Sequence, residues 1–387
     1  MRKSVDRAYP SAETFHRVSS HFADYGITRI ARQTGLDRLG IPVWCAYTPN
    51  AKSIVVANGK GLTDDDARTS AAMEALERAV ACDPQLSSIT MSQLELTRRG
   101  RPYDLLPELL AAGRDVGGTD ENLEFVEARD LISRDAVLVP RDAVSLDRTT
   151  PNPRYWKSSD GLASGNTEEE AIFHGLLERI ERDATALWHV KSPAAQDASA
   201  ISPDEFESKI IDELVGQIRD GGVSLRLFDI TSDIGIPTIA AYIGETHALT
   251  TGSPRYVDVT FGCGTHPNVS NAAVRAITEA AQSRLTYISG ARDDVYPETY
   301  LRPLPDAIRR LMMARPGTLS PRRTVIGPKS VVDLLAQCGL SRLYSVRLSD
   351  PELPFVVTKI LAPELENPPG GRKFRYGARA VAAVLSQ

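Results

Sequence analysis

The chain repeats itself at three places, and the repeat restricts it to folds in which three equivalent helices follow three equivalent turns. GLTDDDARTSAAMEALER from Gly61, GNTEEEAIFHGLLERIER from Gly165 and GTHPNVSNAAVRAITEAAQSR from Gly264 align on an alanine, Ala67, Ala171 or Ala272. Seven residues later comes a glutamate, Glu74, Glu178 or Glu279, and three further on Glu77, Glu181 or Gln282. The first two segments continue with Arg78 and Arg182. Thr63 with Asp66 and Thr167 with Glu170 read as capping boxes, and Pro267 suits the first helical turn of the third segment. Each segment is predicted to be a glycine turn feeding a capped helix.

A second repeat lies between these helices. TGLDRLGIPVWCAY (34–47) matches ITSDIGIPTIAAY (230–242), each a turn and Gly-Ile-Pro followed by a strand-like run. SVRLSDPELPFVVTKILAPEL (345–365) and FVEARDLISRDAVLVPRDAV (125–144) have the same strand, turn, strand character. PDEFESKIIDELVGQIRDGG reads as helix. Strand pairs joined by short turns imply antiparallel sheet, so the expected fold is α+β, or mixed α/β, built from duplicated sheet-plus-helix units. Because the repeats interleave, residues 1–387 are expected to form one composite domain. The stretch 296–325, rich in proline and arginine, is expected to be a variable surface insertion.

Composition removes several function classes. A net charge of −5 points to no nucleic-acid glove or polybasic membrane anchor, and any basic patch would have to be local. No run approaches the roughly 18 apolar residues of a spanning helix, so a cytoplasmic location is expected. Cys45, Cys82, Cys263 and Cys338 lie far apart without a CxxC pair, and the six histidines show no metal-binding spacing. The cysteines are expected to be buried reduced thiols.

The chemistry is expected on the helices. Ser70, Glu74 and Glu77 fall on one stripe, as do Arg275, Glu279 and Gln282; Glu170, Glu178 and Glu181 share a face, with Asn166 at its mouth. Around them stand Ala71, Ala72, Met73, Leu76, Leu177, Ile277 and Ala280, so the acids form the odd face of apolar helices. On solvated helices they would be decoration. If the helices converge, Glu74, Glu77, Glu170, Glu178, Glu181 and Glu279 meet, and unpaired they would raise one another's pKa. Oxygen-only donors select hard cations, and Mg²⁺ prefers few carboxylates plus phosphate oxygens, so a magnesium nucleotide is the natural counter-charge. Arg182 and Arg275 would complete a phosphate clamp. A di-iron site normally draws on Glu-x-x-His pairs, whereas this chain has Glu-x-x-Glu-Arg. Neither ANGKGLT nor FGCGTHPN satisfies GxGxxG, and there is no P-loop, so ATP would bind outside those folds.

These residues resemble the YcaO superfamily, ATP-dependent enzymes that modify peptide backbone amides, from about Gly26 to the C-terminus. The signature of serine, three residues, glutamate, two residues, glutamate is met by Ser70, Glu74 and Glu77. Asn166, Glu170, Glu178, Glu181 and Arg182 meet the second signature, and Arg275 with Glu279 the third. Asp160 stands where asparagine is expected, a departure expected to leave the helix residues unaffected. The resemblance implies ATP and Mg²⁺ as cofactors, with all ten residues around the nucleotide and the six glutamates around the metal. It implies that ATP phosphorylates the amide oxygen, a nucleophile attacks the carbon and phosphate leaves. No side-chain nucleophile is required, and no catalytic residue is assigned apart from this set.

Cyclodehydratase members of the family use a substrate Cys, Ser or Thr as nucleophile and commonly end in a PxPxP tail. This chain ends GGRKFRYGARAVAAVLSQ, with Pro368 and Pro369 the only nearby prolines. The compact form, with GITRIARQTGLDRLGIPV near its start, resembles members that make thioamides with a TfuA-like partner on a precursor peptide or protein. The alternatives are azoline formation and a non-catalytic nucleotide-binding scaffold. A homodimer is expected, and loss of the last residues is expected to lower activity in part.

Overall fold

The computed structural model describes residues 7–319, 327–367 and 376–386. The described residues form a mixed α/β structure with three antiparallel sheets, as the duplicated strand, turn, strand pattern predicts. The first is β1 (Arg29–Arg32), β2 (Val43–Tyr47) and β3 (Val56–Lys60), in that order. The second runs β4 (Ser88–Ser92), β5 (Asn122–Asp130), β12 (Tyr344–Arg347), β13 (Val356–Leu361), β7 (Leu162–Gly165), with β6 (Ala136–Pro140) also pairing on β5. The third runs β11 (Val259–Thr265), β10 (Thr238–Glu245), β9 (Val223–Asp229), β8 (Ala200–Ile201).

Each sheet delivers one repeat helix. β3 leads into Asp64–Cys82, β7 into Glu168–His189 and β11 into Val269–Ser289. Thr63 and Thr167 cap the first two by accepting from the backbone N–H groups of Asp66 and Glu170. The third is capped by Asn268, which accepts from Asn271, so Pro267 lies outside the helix rather than in its first turn. An asparagine side chain can accept from the helix N-terminus there, which proline cannot do. The helices lie close on their own strands because the facing residues are small. A Cβ on Gly59 would come within 2.1 Å of Ala67 O and Ala71 N, and one on Gly264 within 2.3 Å of Ala272 O. The repeated alanines Ala67, Ala171 and Ala272 are all fully buried at these contacts.

The second repeat is a turn with a shared hydrogen bond. Thr34 Oγ1 accepts from Val43 N at 2.9 Å, and Thr231 Oγ1 accepts from Thr238 N at 2.9 Å. Ser349 Oγ does the same for Val357 N at 3.0 Å. These turns start β2, β10 and β13, the strands that pair with β3, β11 and β7. In the first and third units the partner strand comes just before its helix. In the middle unit it arrives from near the far end of the chain.

Residues 203–222 form a 3₁₀ turn (Pro203–Phe206) and a helix (Lys209–Asp220). The stretch 296–325 is only partly a surface feature: Leu301 and Met313 are exposed, whereas Leu304, Leu311 and Met312 join a buried cluster with Trp188 and Phe228. Its residues 320–325 lie outside the described residues, as do 368–375 of the tail. Cys45, Cys82 and Cys263 are buried free thiols, while Cys338 is half-buried. No helix among the described residues is long and apolar enough to cross a membrane.

Candidate active site

The three repeat helices turn their acidic faces toward one cavity of about 1010 Å³. Of the ten residues expected around a nucleotide, nine line it: Ser70, Glu74, Glu77, Asn166, Glu178, Glu181, Arg182, Arg275 and Glu279. The tenth, Glu170, is buried beside the rim, where it accepts from Asn166 and from Arg7 Nη1 at 2.9 Å. Its position in the first turn points it back at the preceding loop rather than across the cavity.

The carboxylates do not meet unpaired, as a bare cluster would. Glu74 pairs with Arg78 at 2.9 Å, Glu178 with Arg182 at 3.3 Å, and Glu279 with Lys60. Glu178 also accepts from Gly161 N at 3.1 Å, and Glu181 from Thr265 N at 3.1 Å. The reason is topological: β3 ends in Lys60 beside the third helix, and β11 ends in Thr265 beside the middle one, so each unit supplies partners to another's acids. Among the described residues, no three His, Cys, Asp or Glu side chains stand close enough to hold a metal by themselves.

Pairing leaves the acids strained by burial all the same. Burial pushes Glu77 well above the ordinary carboxyl range, with Glu178 and Glu74 adding to it. Burial also lifts Glu178 to about 7, against the Arg182 guanidinium and with help from Asp160 and Glu181. Glu181 is raised by burial and by Glu279. Burial works against the Glu279 carboxylate too, but Lys60 and Arg182 hold it below its usual value.

The donors are equally incomplete. Arg78 Nη1, Arg182 Nε and Arg275 Nε are buried and have no hydrogen-bond partner among the described residues. Guanidinium N–H groups without acceptors beside carboxylates with raised pKa values fit a ligand that carries both phosphate oxygens and a divalent cation. With no preformed cage, the cation would rest on few carboxylates and complete its shell on phosphate, which suits Mg²⁺.

Four groups of residues at or beside this cavity were given no role there by the sequence reading. Arg78 shared Arg182's place in the repeat, which was the available signal, and Lys60 sits between two glycines where a strand meets a helix. Asp160 is not a neutral departure: it lies 3.5 Å from Arg182 and adds negative charge beside Glu178. The segment from Arg7 to Thr14 also forms a wall of the cavity, through Ser11 to Asp66, and Thr14 to Asn166 at 3.0 Å. Nothing in its composition announced that.

Comparison with known proteins agrees with this geometry. The family model described as YcaO cyclodehydratase, ATP- and Mg²⁺-binding, matches residues 58–366. A Rhizobium leguminosarum bv. trifolii protein from the tfuA 3′ region is 38% identical over 395 aligned residues, covering 98% of this chain and 93% of that one. YcaO from Methanopyrus kandleri, solved with AMPPCP and Mg²⁺, superposes with a TM-score of 0.68 at 23% identity, covering 93% of this chain and 92% of that one. A heterocyclase in complex with substrate and cofactor gives 0.74 at 20% identity; the alignment covers 93% of this chain but 53% of that longer one. With the family match running through all three glutamate helices, this chain belongs to the YcaO family of ATP- and Mg²⁺-binding proteins.

Proposed function

We propose that this chain uses ATP and Mg²⁺ to activate a backbone amide of a peptide and replaces the amide oxygen with sulfur, giving a thioamide, in company with a TfuA-like partner. The observation that carries the reading is the convergence of glutamates and acceptor-free arginine N–H groups from three helices on one cavity. Bound Mg–ATP supplies the phosphoryl group that turns the amide oxygen into a leaving group. The chain's share is positioning and neutralisation of charge. Arg182 and Arg275 would face the phosphates, and the metal would rest on a few of the carboxylates Glu74, Glu77, Glu178, Glu181 and Glu279. Ser70 and Asn166 contribute polar contacts at the nucleotide, while Glu170 acts through Asn166 and Arg7, which it already binds.

Sulfur is preferred as the nucleophile because the relative from the tfuA 3′ region matches almost the whole chain. The likeness to heterocyclases supports a common fold, and azoline formation is the rival product. The protein incubated with ATP, Mg²⁺, sodium hydrosulfide, a TfuA-like protein and the candidate precursor separates them by mass spectrometry. Thioamide formation exchanges one oxygen for sulfur and gains mass; dehydrative cyclisation loses one water. A loss of water without sulfur uptake would replace this reading with the rival.

A further inference from the structure

His174 stands on the cavity wall with no part in the reading so far. It lies four residues before Glu178, as Ser70 lies before Glu74 and Arg275 before Glu279. All three side chains line the same cavity, so the repeat brings a histidine to the place where the other helices present a hydroxyl and a guanidinium. Its Nε2 is buried and has no hydrogen-bond partner among the described residues. The ring sits 6.0 Å from that of Phe173. Burial, reinforced by Arg7, Arg275 and His266, holds its pKa well below the ordinary value, so the imidazole is neutral. Among the described residues, Tyr9 apart, the other ionisable groups on the wall are arginines and a lysine, which only donate, or carboxylates already paired, hydrogen-bonded or assigned to the metal. A neutral nitrogen lone pair is what the wall otherwise lacks.

We infer that His174 is a catalytic residue, the acceptor for the proton that the attacking nucleophile gives up. The inference rests on the amide-activating function proposed above. With hydrosulfide, a sulfur lone pair forms the S–C bond at the activated amide carbon, and the C–N π pair moves onto nitrogen. The S–H bond then breaks. Its proton goes to the imidazole, its electron pair becomes the C=S π bond, and the C–O bond breaks with its pair leaving on phosphate. The imidazolium afterwards returns the proton to phosphate, and no oxidant or reductant is needed.

Two readouts test this. Diethyl pyrocarbonate acylates unprotonated imidazoles; it should label His174 in the free protein at neutral pH, and Mg–ATP should block the labelling. Turnover is read as ADP release with Mg–ATP, sodium hydrosulfide, a TfuA-like protein and a pool of random-sequence peptides as probes. His174→Ala and His174→Gln should keep the wild-type melting shift with Mg–ATP and lose about 100-fold or more in peptide-dependent ADP release. Added imidazole should restore part of the His174→Ala rate. Unlabelled His174 in folded protein, wild-type ADP release by His174→Ala, or a melting shift lost together with turnover would overturn the assignment. A wild-type protein with no Mg–ATP melting shift would instead sink the functional reading, and labelling would still decide whether His174 is an open, neutral imidazole.

Discussion

Glu178 sits in an environment at odds with its charge. Its folded pKa, about 7, lies above the unfolded carboxyl value, because burial and the neighbouring Asp160 and Glu181 penalise ionisation. A raised carboxyl pKa means that the folded, metal-free protein binds this proton more tightly than the unfolded chain. The stability linked to it is complete below the unfolded value and is lost as pH rises through about 7. Glutamine keeps the shape without the charge. In chelator, Glu178→Gln should therefore melt with the wild type near pH 4.5 and increasingly above it as pH rises to about 7, the difference levelling off at higher pH. A constant difference across that range would place Glu178 in solvent. The sequence displayed the glutamates well, since helical spacing puts them on one face whatever the fold. It did not display their partners. Lys60 and Thr265 reach Glu279 and Glu181 from strand ends far away in the chain, and Gly161 reaches Glu178 from the turn before its own strand; no helical pattern records such meetings.

At the level of elements, the glycines and alanines between strand and helix set how near the acids come to one another. Gly59 and Gly264 touch helix backbone, which cannot move aside as a side chain could. Gly59→Ala should cost about 1–3 kcal/mol by overpacking and weaken Mg–ATP binding as the first helix is pushed off its sheet. Gly216, in the Lys209–Asp220 helix, has open space at its Cβ position. Gly216→Ala should stabilise the protein by roughly 0.4–1 kcal/mol and leave nucleotide binding alone, as chemical melts of the pair would show. The repeat made these helices and their turns legible, down to the Thr63 and Thr167 caps. The middle unit was harder, because β13, which pairs with β7, lies almost two hundred residues beyond it, and β pairing over that distance leaves no periodic trace.

Across the whole molecule, the C-terminal helix Ala378–Leu385 is tied to the middle helix rather than left free. Arg379 makes two 2.9 Å contacts with Asp183, which is completely buried and directly follows Arg182. Glu366 accepts from Gly377 N and Ala380 N at 2.9 Å, closing the same corner. Arg379→Ala would strand a buried carboxylate, at a cost of about 3 kcal/mol or more, and loosen Arg182's end of the cavity. Thermal melts and Mg–ATP titration should register both losses; normal melting with normal affinity would make the tail a passive cover. The sequence suggested that the tail matters, without saying which residue it meets. The structure ties the tail helix to Asp183, whose acid stood unremarked between Arg182 and Ala184.

The most direct measurement is a thermal melt of wild type and Glu181→Gln, each with and without Mg–ATP, alongside ATP turnover. The wild type should gain a clear melting shift with Mg–ATP and none comparable with ATP in chelator. Glu181→Gln should melt higher than wild type when metal-free, because the burial cost of its charge and the repulsion from Glu279 are relieved, and its affinity or turnover should fall by about an order of magnitude or more. A Glu181→Gln protein that keeps both the wild-type shift and the wild-type rate would contradict a magnesium-nucleotide site on these helices.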